Sequence, residues 1–254
     1  MPVFNTPYHK PAIFQPFVSL IAAESTRHAG VSPVPYAALN LGKSTGDLLE
    51  NVLENRRIFC ESLGIHWENI AFSFQVHGNE VLVANQAGQY QGYDAIITNQ
   101  PNVFVAVSIA DCTPILVYDA KNQAVAAIHA GWRGTVSGIV AKSLQLLTTH
   151  FGTQASDCFT YVGTCIDECT FEVGNEVAEH FADSFKRFDA AKQKYFVDLK
   201  SANQAQLLAF GIPASQIEVS AYSTIQHHED YFSHRLQKGI TGRMMAVIGL
   251  KQQP

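Results

Sequence analysis

Residues 124–134 read AVAAIHAGWRG, in which an apolar run leads into a histidine and then into a tryptophan and an arginine between two glycines. The apolar run is typical of a buried strand, and the spacing of apolar residues after position 134 is typical of an amphipathic helix. The stretch therefore predicts a strand, a turn and a helix in immediate succession. Arg133 and Gly134 then lie near a helix N-terminus, where unpaired N–H groups and partial positive charge suit a phosphate.

Apolar and β-branched runs of the same kind recur along the chain. They predict further strands at residues 12–23, 70–76, 79–84, 94–98, 103–109, 115–119, 159–163, 217–221 and 244–250. Four helices are predicted: one between Asp47 and Gly64, one from residue 134 or 135 to Gly152, one carrying Val173, Val177, Phe181 and Phe185, and one from Ser201 to Gly211. Because strands cluster mid-chain and helices do not alternate with them, we expect an α+β layered fold with mixed sheets, not a barrel or a doubly wound sheet.

Composition narrows the class of protein. Of 254 residues, 47% are hydrophobic and 15% charged, which is typical of a globular chain, and no linker or repeat divides it, so we expect one domain over residues 1–254. A formal net charge of −5 argues against a nucleic-acid partner, and no apolar run is long enough for a membrane span. Five cysteines without a C-x-x-C pair favour a reducing, cytoplasmic location. The choice between monomer and homodimer stays open.

Three chemically reactive residues stand at the ends of strand-like runs: His77, Cys112 and His129. Strand ends can meet at one edge of a sheet, and two imidazoles with a thiolate form a suitable ligand set for zinc or copper. Three protein ligands would leave one tetrahedral position open, as in catalytic zinc sites. Asp111, beside Cys112, could position a ligand or transfer a proton.

The residues alone leave other interpretations open. Each histidine could be structural, and Cys112 could be a nucleophile with His77 or His129 as its base and Asp111 or Asp94 orienting that base. A multicopper oxidase is a further alternative, although the ten histidines include no H-x-H pair. A sensor that binds nucleoside or metal without turnover is another.

Several polar and turn residues are candidates for binding a substrate or a phosphate. Arg56 and Arg57 both lie on the first predicted helix, and Arg57 is taken as the ligand while Arg56 is assigned to a solvated face. The full set of candidate substrate- or phosphate-binding residues is Asn40, Arg57, Gln75, Asp94, Trp132, Gly134, Arg235 and Arg243.

Taken together, the motifs resemble the YfiH-like family in order and spacing, over about residues 15–250. They are NLGKSTGD with NRR, QVHG, DAIIT, ADCTP, HAGWRG, GTCIDECTFEVG and the closing FSHR…TGR. That family has been labelled multicopper polyphenol oxidase or laccase, and is also described as purine nucleoside phosphorylase with adenosine deaminase activity. The chain departs from the family pattern at Thr164, Asp167 and Ser223, none of them a proposed ligand.

The resemblance implies a single-domain, four-layer α/β/β/α sandwich that binds one zinc, or copper in some members, through His77, Cys112 and His129. It implies phosphorolysis of adenosine, inosine, guanosine and S-methyl-5′-thioadenosine to base and pentose 1-phosphate, together with hydrolytic deamination of adenosine. For the phosphate we expect Arg133 and the adjacent helix end, assisted by Arg57. Trp132 is a candidate for stacking on the purine.

Overall fold

The structure, a computed structural model, describes residues 3–252. Helices and strands are numbered here in chain order. The α-helices are α1 (Leu49–Ser62), α2 (Trp132–Val136), α3 (Ile139–Phe151), α4 (Asn175–Ala178) and α5 (Leu199–Phe210). No helix in residues 3–252 combines the length and the apolar character that crossing a membrane requires.

The first sheet joins strands from both ends of the chain. Its order is β1 (Tyr8–His9), β2 (Leu20–Ser25), β15 (Met244–Leu250), β7 (Phe104–Ile109), β3 (Ile70–Phe74) and β5 (Gly88–Gln91). β15 is antiparallel to both β2 and β7, whereas β3 is parallel to β7 and β5. This sheet is therefore mixed, as predicted.

The second sheet is also mixed. Its order is β14 (Ile217–Val219), β10 (Cys158–Val162), β8 (Thr113–Asp119), β9 (Ala124–Ala130), β6 (Ala95–Thr98) and β4 (Val81–Val83). β8 and β9 are antiparallel neighbours, with Pro114 opposite His129. A small third sheet, in the order β11 (Glu172–Val173), β13 (Lys194–Val197) and β12 (Lys186–Asp189), lies outside these two.

Alternate residues of each strand face opposite layers, and both faces are covered. One apolar cluster joins the two large sheets, and includes Val105 and Ile248 from the first and Leu116 and Ala127 from the second. The outer face of the first sheet packs on α1, and the outer face of the second packs on α3 and α5. This arrangement confirms the four-layer α/β/β/α architecture, and double coverage explains why β9 is buried throughout and apolar apart from His129.

The predicted helix boundaries are confirmed where glycine ends the helix. Gly64 and Gly211 follow α1 and α5 with φ of +66° and +103°, values that glycine adopts without steric cost. The helix expected from residue 134 to Gly152 is divided into α2 and α3, because Gly138 has φ +73° between them.

Two predictions of secondary structure are wrong. The residues expected to form one helix from Val173 to Phe185 instead lie in β11, in the single turn α4 and in a 3-10 turn. Their four-residue spacing reflects a shared apolar cluster against α5, not one continuous helix. The strand expected over residues 12–23 begins only at Leu20, because a 3-10 turn at Ala12–Phe14 and further turn hydrogen bonds up to Leu20 take up the backbone before it.

Candidate active site

Two connections between the large sheets and the end of one strand bring the predicted ligands together. His77 follows β3 of the first sheet, Cys112 lies in the crossing from β7 to β8, and His129 is in β9 of the second sheet. One ligand atom from each lies within 4.8 Å of the others. The two imidazole rings are 4.9 Å apart and nearly perpendicular, so the cluster is formed by residues that are distant in sequence.

Asp94 fixes two of these residues. Its carboxylate accepts a hydrogen bond from Nδ1 of His129 at 2.8 Å and from the backbone N–H groups of His77 and Gly78 at 2.9 and 2.8 Å. Because Nδ1 of His129 is occupied, Nε2 is the nitrogen left for a ligand. Asp94 is fully buried and does not line the cavity described below. Its carboxylate therefore binds His129 and the loop, and it is not placed to bind a substrate.

The electrostatics of the cluster favour a thiolate. Burial alone would raise the pKa of Cys112, but the charge of His129 and hydrogen bonds from both histidines lower it below its ordinary value. Burial would lower the pKa of His129, yet the Cys112 thiolate and the Asp94 carboxylate raise it. Hydrogen bonds from His129 and the backbone likewise outweigh burial and lower the pKa of Asp94. The thiolate is the form of cysteine that binds metal or acts as a nucleophile.

The cluster fits a zinc or copper ion in both chemistry and space. Two imidazole nitrogens and one thiolate are ligands that both metals accept. A Cβ at Gly131 would lie 3.0 Å from Sγ of Cys112 and 3.3 Å from Cδ2 of His77, so a larger residue would crowd the ligands. A Cβ at Gly134 would lie 3.0 Å from the carbonyl oxygen of Gly78. The glycines of HAGWRG thus permit close packing of the protein on itself at this site.

A cavity of about 430 Å³ opens from the cluster. It runs on the same face of the first sheet as α1, where Phe72, Ser108 and Met245 form part of its wall. Its volume lies in the range of small-molecule sites. Its lining carries four basic side chains and one carboxylate, although the chain as a whole has a formal net charge of −5. The basic residues are Lys43, Arg56, Arg235 and Arg243. The cavity is therefore locally cationic.

Asp111 supplies that carboxylate, in a strained loop. Its φ of +84° is uncommon for a residue other than glycine. One oxygen accepts a hydrogen bond from Oγ1 of Thr224 and the other from the backbone N–H of Arg235, both at 2.6 Å. These bonds fix the carboxylate beside Cys112.

Three predicted substrate residues line the cavity but are already engaged by the protein. The side-chain amide of Gln75 both donates to and accepts from the backbone of Ser108, which extends the pairing of β3 with β7. Nη1 of Arg243 donates to the carbonyl groups of Thr241 and Gly242. Arg235 also lines the cavity, and its Nη1 donates to the carbonyl of Glu172.

The structure does not bring the predicted phosphate ligands to the cavity. Arg57 is exposed and forms ion pairs with Glu54 and Glu61, each at 2.6 Å. Arg133 is exposed over the ring of Trp132 at 4.3 Å. Helix α2, whose N-terminus we expect to suit a phosphate, is only five residues long. Arg57, Arg133 and Gly134 stay predictions as phosphate ligands, and this placement does not support them.

Two more candidates have structural contacts instead. Trp132 packs in the apolar cluster around α5, stacked on His180, and does not line the cavity. Asn40 is fully buried, and its side chain bonds to Thr45 and Asp47 and accepts from the N–H groups of Gly42 and Arg243. Asn40 therefore shapes the loop that leads to the cavity.

Arg56 is the functional candidate that the sequence interpretation missed. It was assigned to a solvated face, but its side chain lines the cavity and is 4% exposed. The signal was present, because Arg56 falls on the apolar stripe of α1 together with Val52, Phe59 and Cys60.

Comparison with known proteins identifies the family. A family model described as "Multi-copper polyphenol oxidoreductase laccase" matches residues 21–251. The chain belongs to this family. Among its YfiH-like relatives, a "Purine nucleoside phosphorylase" of Bacteroides thetaiotaomicron is 36% identical over 240 residues, covering 88% of this chain and 89% of the relative. "Purine nucleoside phosphorylase YlmD" of Geobacillus stearothermophilus is 33% identical over 94% of this chain and 93% of the relative.

Solved structures of family members have the same fold. The crystal structure of YlmD from Geobacillus stearothermophilus matches with a TM-score of 0.92 and 32% identity, covering 99% of this chain and all (100%) of that one. The structure of a Bacillus licheniformis hypothetical protein, YfiH, matches with a TM-score of 0.90 and 29% identity, covering 97% of this chain and 100% of that one. The YfiH-like resemblance expected from the motifs is confirmed.

The three departures from the family pattern lie outside the cavity lining. Thr164 donates through its backbone to buried Glu24, and Asp167 forms an ion pair with Lys200 at 3.2 Å. Oγ of Ser223 accepts from the N–H groups of Ile225 and Gln226. Each residue has a structural partner, and none contacts the three ligands.

Proposed function

We propose that this chain is a zinc-dependent purine nucleoside phosphorylase that also deaminates adenosine. The observation that carries the proposal is the His77–Cys112–His129 cluster at a small-molecule cavity that is cationic within an acidic protein. The named relatives supply the substrate class, a purine nucleoside with phosphate. Adenosine, inosine, guanosine and S-methyl-5′-thioadenosine are the nucleosides that we propose.

Each residue of the cluster has a separate task in this proposal. His77, Cys112 and His129 would hold the metal, and Asp94 orients His129 and the QVHG loop through its hydrogen bonds. A zinc ion held there would supply Lewis-acid chemistry for the hydrolytic deamination. Copper is the alternative that the same ligand set accepts.

Asp111 is the proposed acid–base residue. Its carboxylate lines the cavity, and Thr224 and Arg235 hold it in one orientation, so it can pass a proton to or from a bound purine. Phe74 and Phe171 line the same cavity and offer aromatic side chains against which a base can pack. We assign base binding to them in preference to Trp132.

A thiol hydrolase or amidase is the second candidate, and one specific contact favours it. Asp94 orients His129, which lies beside the Cys112 thiolate, so the three residues have the order of a nucleophile, a base and an orienting acid. This candidate predicts activity that survives removal of metal by a chelator. The phosphorylase proposal predicts that activity is lost.

A copper oxidase acting on polyphenols is the third candidate, and it rests on the family description. It requires several coppers per chain. Within residues 3–252 one group of three potential ligands is present, which suits one ion. Metal analysis that gives about four coppers per chain, with oxidation of a phenolic dye, would favour this candidate.

Product analysis tests the proposal directly. The purified metal-loaded protein is incubated with adenosine in the presence and absence of inorganic phosphate, and products are separated by chromatography. We expect adenine and ribose 1-phosphate only with phosphate, and inosine in both mixtures. Absence of all three products contradicts the proposal. If inosine forms without ribose 1-phosphate, the deaminase part of the proposal stands and the phosphorylase part fails.

A further inference from the structure

Arg56 is a buried cation whose side chain is incompletely paired. Its Nε donates to the carbonyl of Leu41 at 2.9 Å, but its buried Nη1 has no hydrogen-bond partner among the described residues. Burial lowers its pKa to about 10, so the guanidinium stays charged at neutral pH. An unpaired buried donor costs free energy, and a buried charge costs more. A ligand that pairs with this group would remove the cost.

Two aromatic rings help to hold the guanidinium of Arg56. The guanidinium carbon lies 4.0 Å from the ring centre of Trp67 and 5.1 Å from that of Phe72. The two ring centres are 5.1 Å apart, so both cation–π contacts lie toward one side of the guanidinium. The unpaired Nη1 is left for a ligand. An oxyanion, which accepts two parallel hydrogen bonds from an arginine fork, has the matching geometry.

The surroundings of Arg56 in the cavity wall also suit an anion. The loop at residues 42–44 and the side chain of Arg243 line the same cavity. A Cβ at Gly42 would lie 2.6 Å from Cγ of Arg243, so the loop packs directly on that arginine. The carboxylate in the lining, that of Asp111, is already bonded by Thr224 and Arg235. No acidic side chain of the lining is left to neutralise Arg56.

We propose that Arg56 is the principal ligand of the phosphate subsite, with Arg243 and the 42–44 loop beside it. The assignment rests on the proposed function, and it replaces Arg57 and Arg133 as phosphate ligands. In phosphorolysis an oxygen of hydrogen phosphate forms a bond to C1′ of the ribose while the C1′–N9 bond breaks. The electron pair leaves with the purine, and the proton of hydrogen phosphate ends on it. The same subsite then holds the phosphate group of ribose 1-phosphate.

Steady-state kinetics of the metal-loaded protein test the subsite. Arg56→Lys keeps the charge but loses the planar fork, so we expect the KM for phosphate to rise about tenfold, while the KM for inosine changes less than about twofold. Arg187→Gln is the matched control, because Arg187 is an exposed, ion-paired arginine outside the cavity. We expect both constants to be unchanged in it. An unchanged KM for phosphate in Arg56→Lys overturns the assignment.

A binding measurement separates this proposal from the proposed function. The chain has two tryptophans, and Trp132→Phe leaves Trp67, beside Arg56, as the fluorescent reporter. We expect inorganic phosphate to change its emission saturably and chloride to leave it unchanged, and adding Arg56→Lys should raise the phosphate midpoint about tenfold. If phosphate binds in this way but no ribose 1-phosphate forms, the subsite stands and the phosphorylase proposal fails. If ribose 1-phosphate forms while the phosphate KM is unchanged in Arg56→Lys, the phosphorylase proposal stands and the subsite assignment fails.

Should Arg56→Lys fail to fold, the titration of the folded Trp132→Phe protein decides alone. A saturable, phosphate-selective change supports the subsite. A flat titration, or an equal response to chloride, overturns it.

Discussion

Nδ1 of His129 lies 2.8 Å from a carboxylate oxygen of Asp94, and both side chains are buried. The contact fixes the ring of His129 so that the other nitrogen faces Cys112 and His77. The backbone N–H of His129 also donates to the carbonyl of Asp94, at 2.7 Å. Asp94 thus joins β6 and β9 to the QVHG loop, and it determines the geometry of the candidate metal site without being one of its ligands.

We expect Asp94→Asn to lower metal affinity by about 10- to 100-fold, the range that follows from loss of a carboxylate behind a ligating histidine. Competition with a fluorescent chelator measures the affinity. Asp119→Asn is a matched control, because Asp119 is equally buried and holds the turn at residues 121–122, away from the cluster. Equal metal affinity in Asp94→Asn and wild type would contradict this role.

Replacement of the thiol should remove the metal itself. We expect Cys112→Ala to lose bound zinc and all phosphorolysis while retaining the wild-type circular dichroism spectrum, because a side chain at the cavity wall contributes little to the core. Cys169→Ser should bind metal normally, since Cys169 is exposed and outside the cluster. Elemental analysis of the two variants gives the answer, and undiminished zinc in Cys112→Ala would remove the basis of the proposal.

A methyl group at Gly131 should disturb the same site from the backbone. The added Cβ of Gly131→Ala would lie 3.0 Å from the sulfur of Cys112, which is tighter than ordinary van der Waals contact, so a ligand must shift. We expect weaker zinc binding and at least a tenfold loss of activity, with a small change in melting temperature. Zinc affinity equal to wild type would show that the ligands tolerate the contact.

Alkylation should distinguish the five cysteines. Burial raises the pKa of Cys60, Cys158 and Cys165 to about 12, so these thiols should resist iodoacetamide at pH 8 in the folded protein. Metal-free protein should be modified at Cys112 and at exposed Cys169, and zinc should protect Cys112 alone. Peptide mass mapping locates the labels. Alkylation of Cys112 that zinc does not prevent would favour the thiol-hydrolase candidate, provided that activity also survives chelation.

Arg57, the phosphate ligand predicted from the sequence, is next to Arg56, the ligand that the structure favours. Adjacent residues on a helix point about 100° apart, so only one of the two can face the first sheet. Arg57→Gln removes a residue that is paired with Glu54 and Glu61 on the exposed side of α1. We expect its phosphate KM to match wild type. A tenfold rise would restore Arg57 as a phosphate ligand.

The sequence predicts the parts of this molecule that depend on local pattern. Apolar runs located most strands of the two large sheets, and glycines marked the ends of α1, α3 and α5, because strand burial and left-handed helix termini are short-range properties. The spacing of Val173, Val177 and Phe181 was misleading because irregular segments can bury residues at helical spacing against a neighbouring helix. Local pattern does not distinguish the two cases.

The candidate site also combines residues that the sequence predicts with residues whose roles depend on the fold. His77, Cys112 and His129 were identified as residues at strand ends, and the family resemblance associated them with one metal. The sequence offered Asp94 either as an acid that orients a histidine or as a substrate ligand, and the choice between the two required the pairing of β6 with β9. The burial of Arg56 was readable from the apolar stripe of α1, but its place in a cavity required the position of Trp67 and Phe72.

Metal reconstitution tests whether phosphorolysis depends on one bound zinc ion per chain. Metal-free protein is titrated with zinc while formation of ribose 1-phosphate from inosine and phosphate is measured at each addition. We expect activity to be absent at the start, to rise in proportion to zinc and to stop rising at about one zinc per chain. Full phosphorolysis by the metal-free protein, or a rise that continues to several metals per chain, would contradict it.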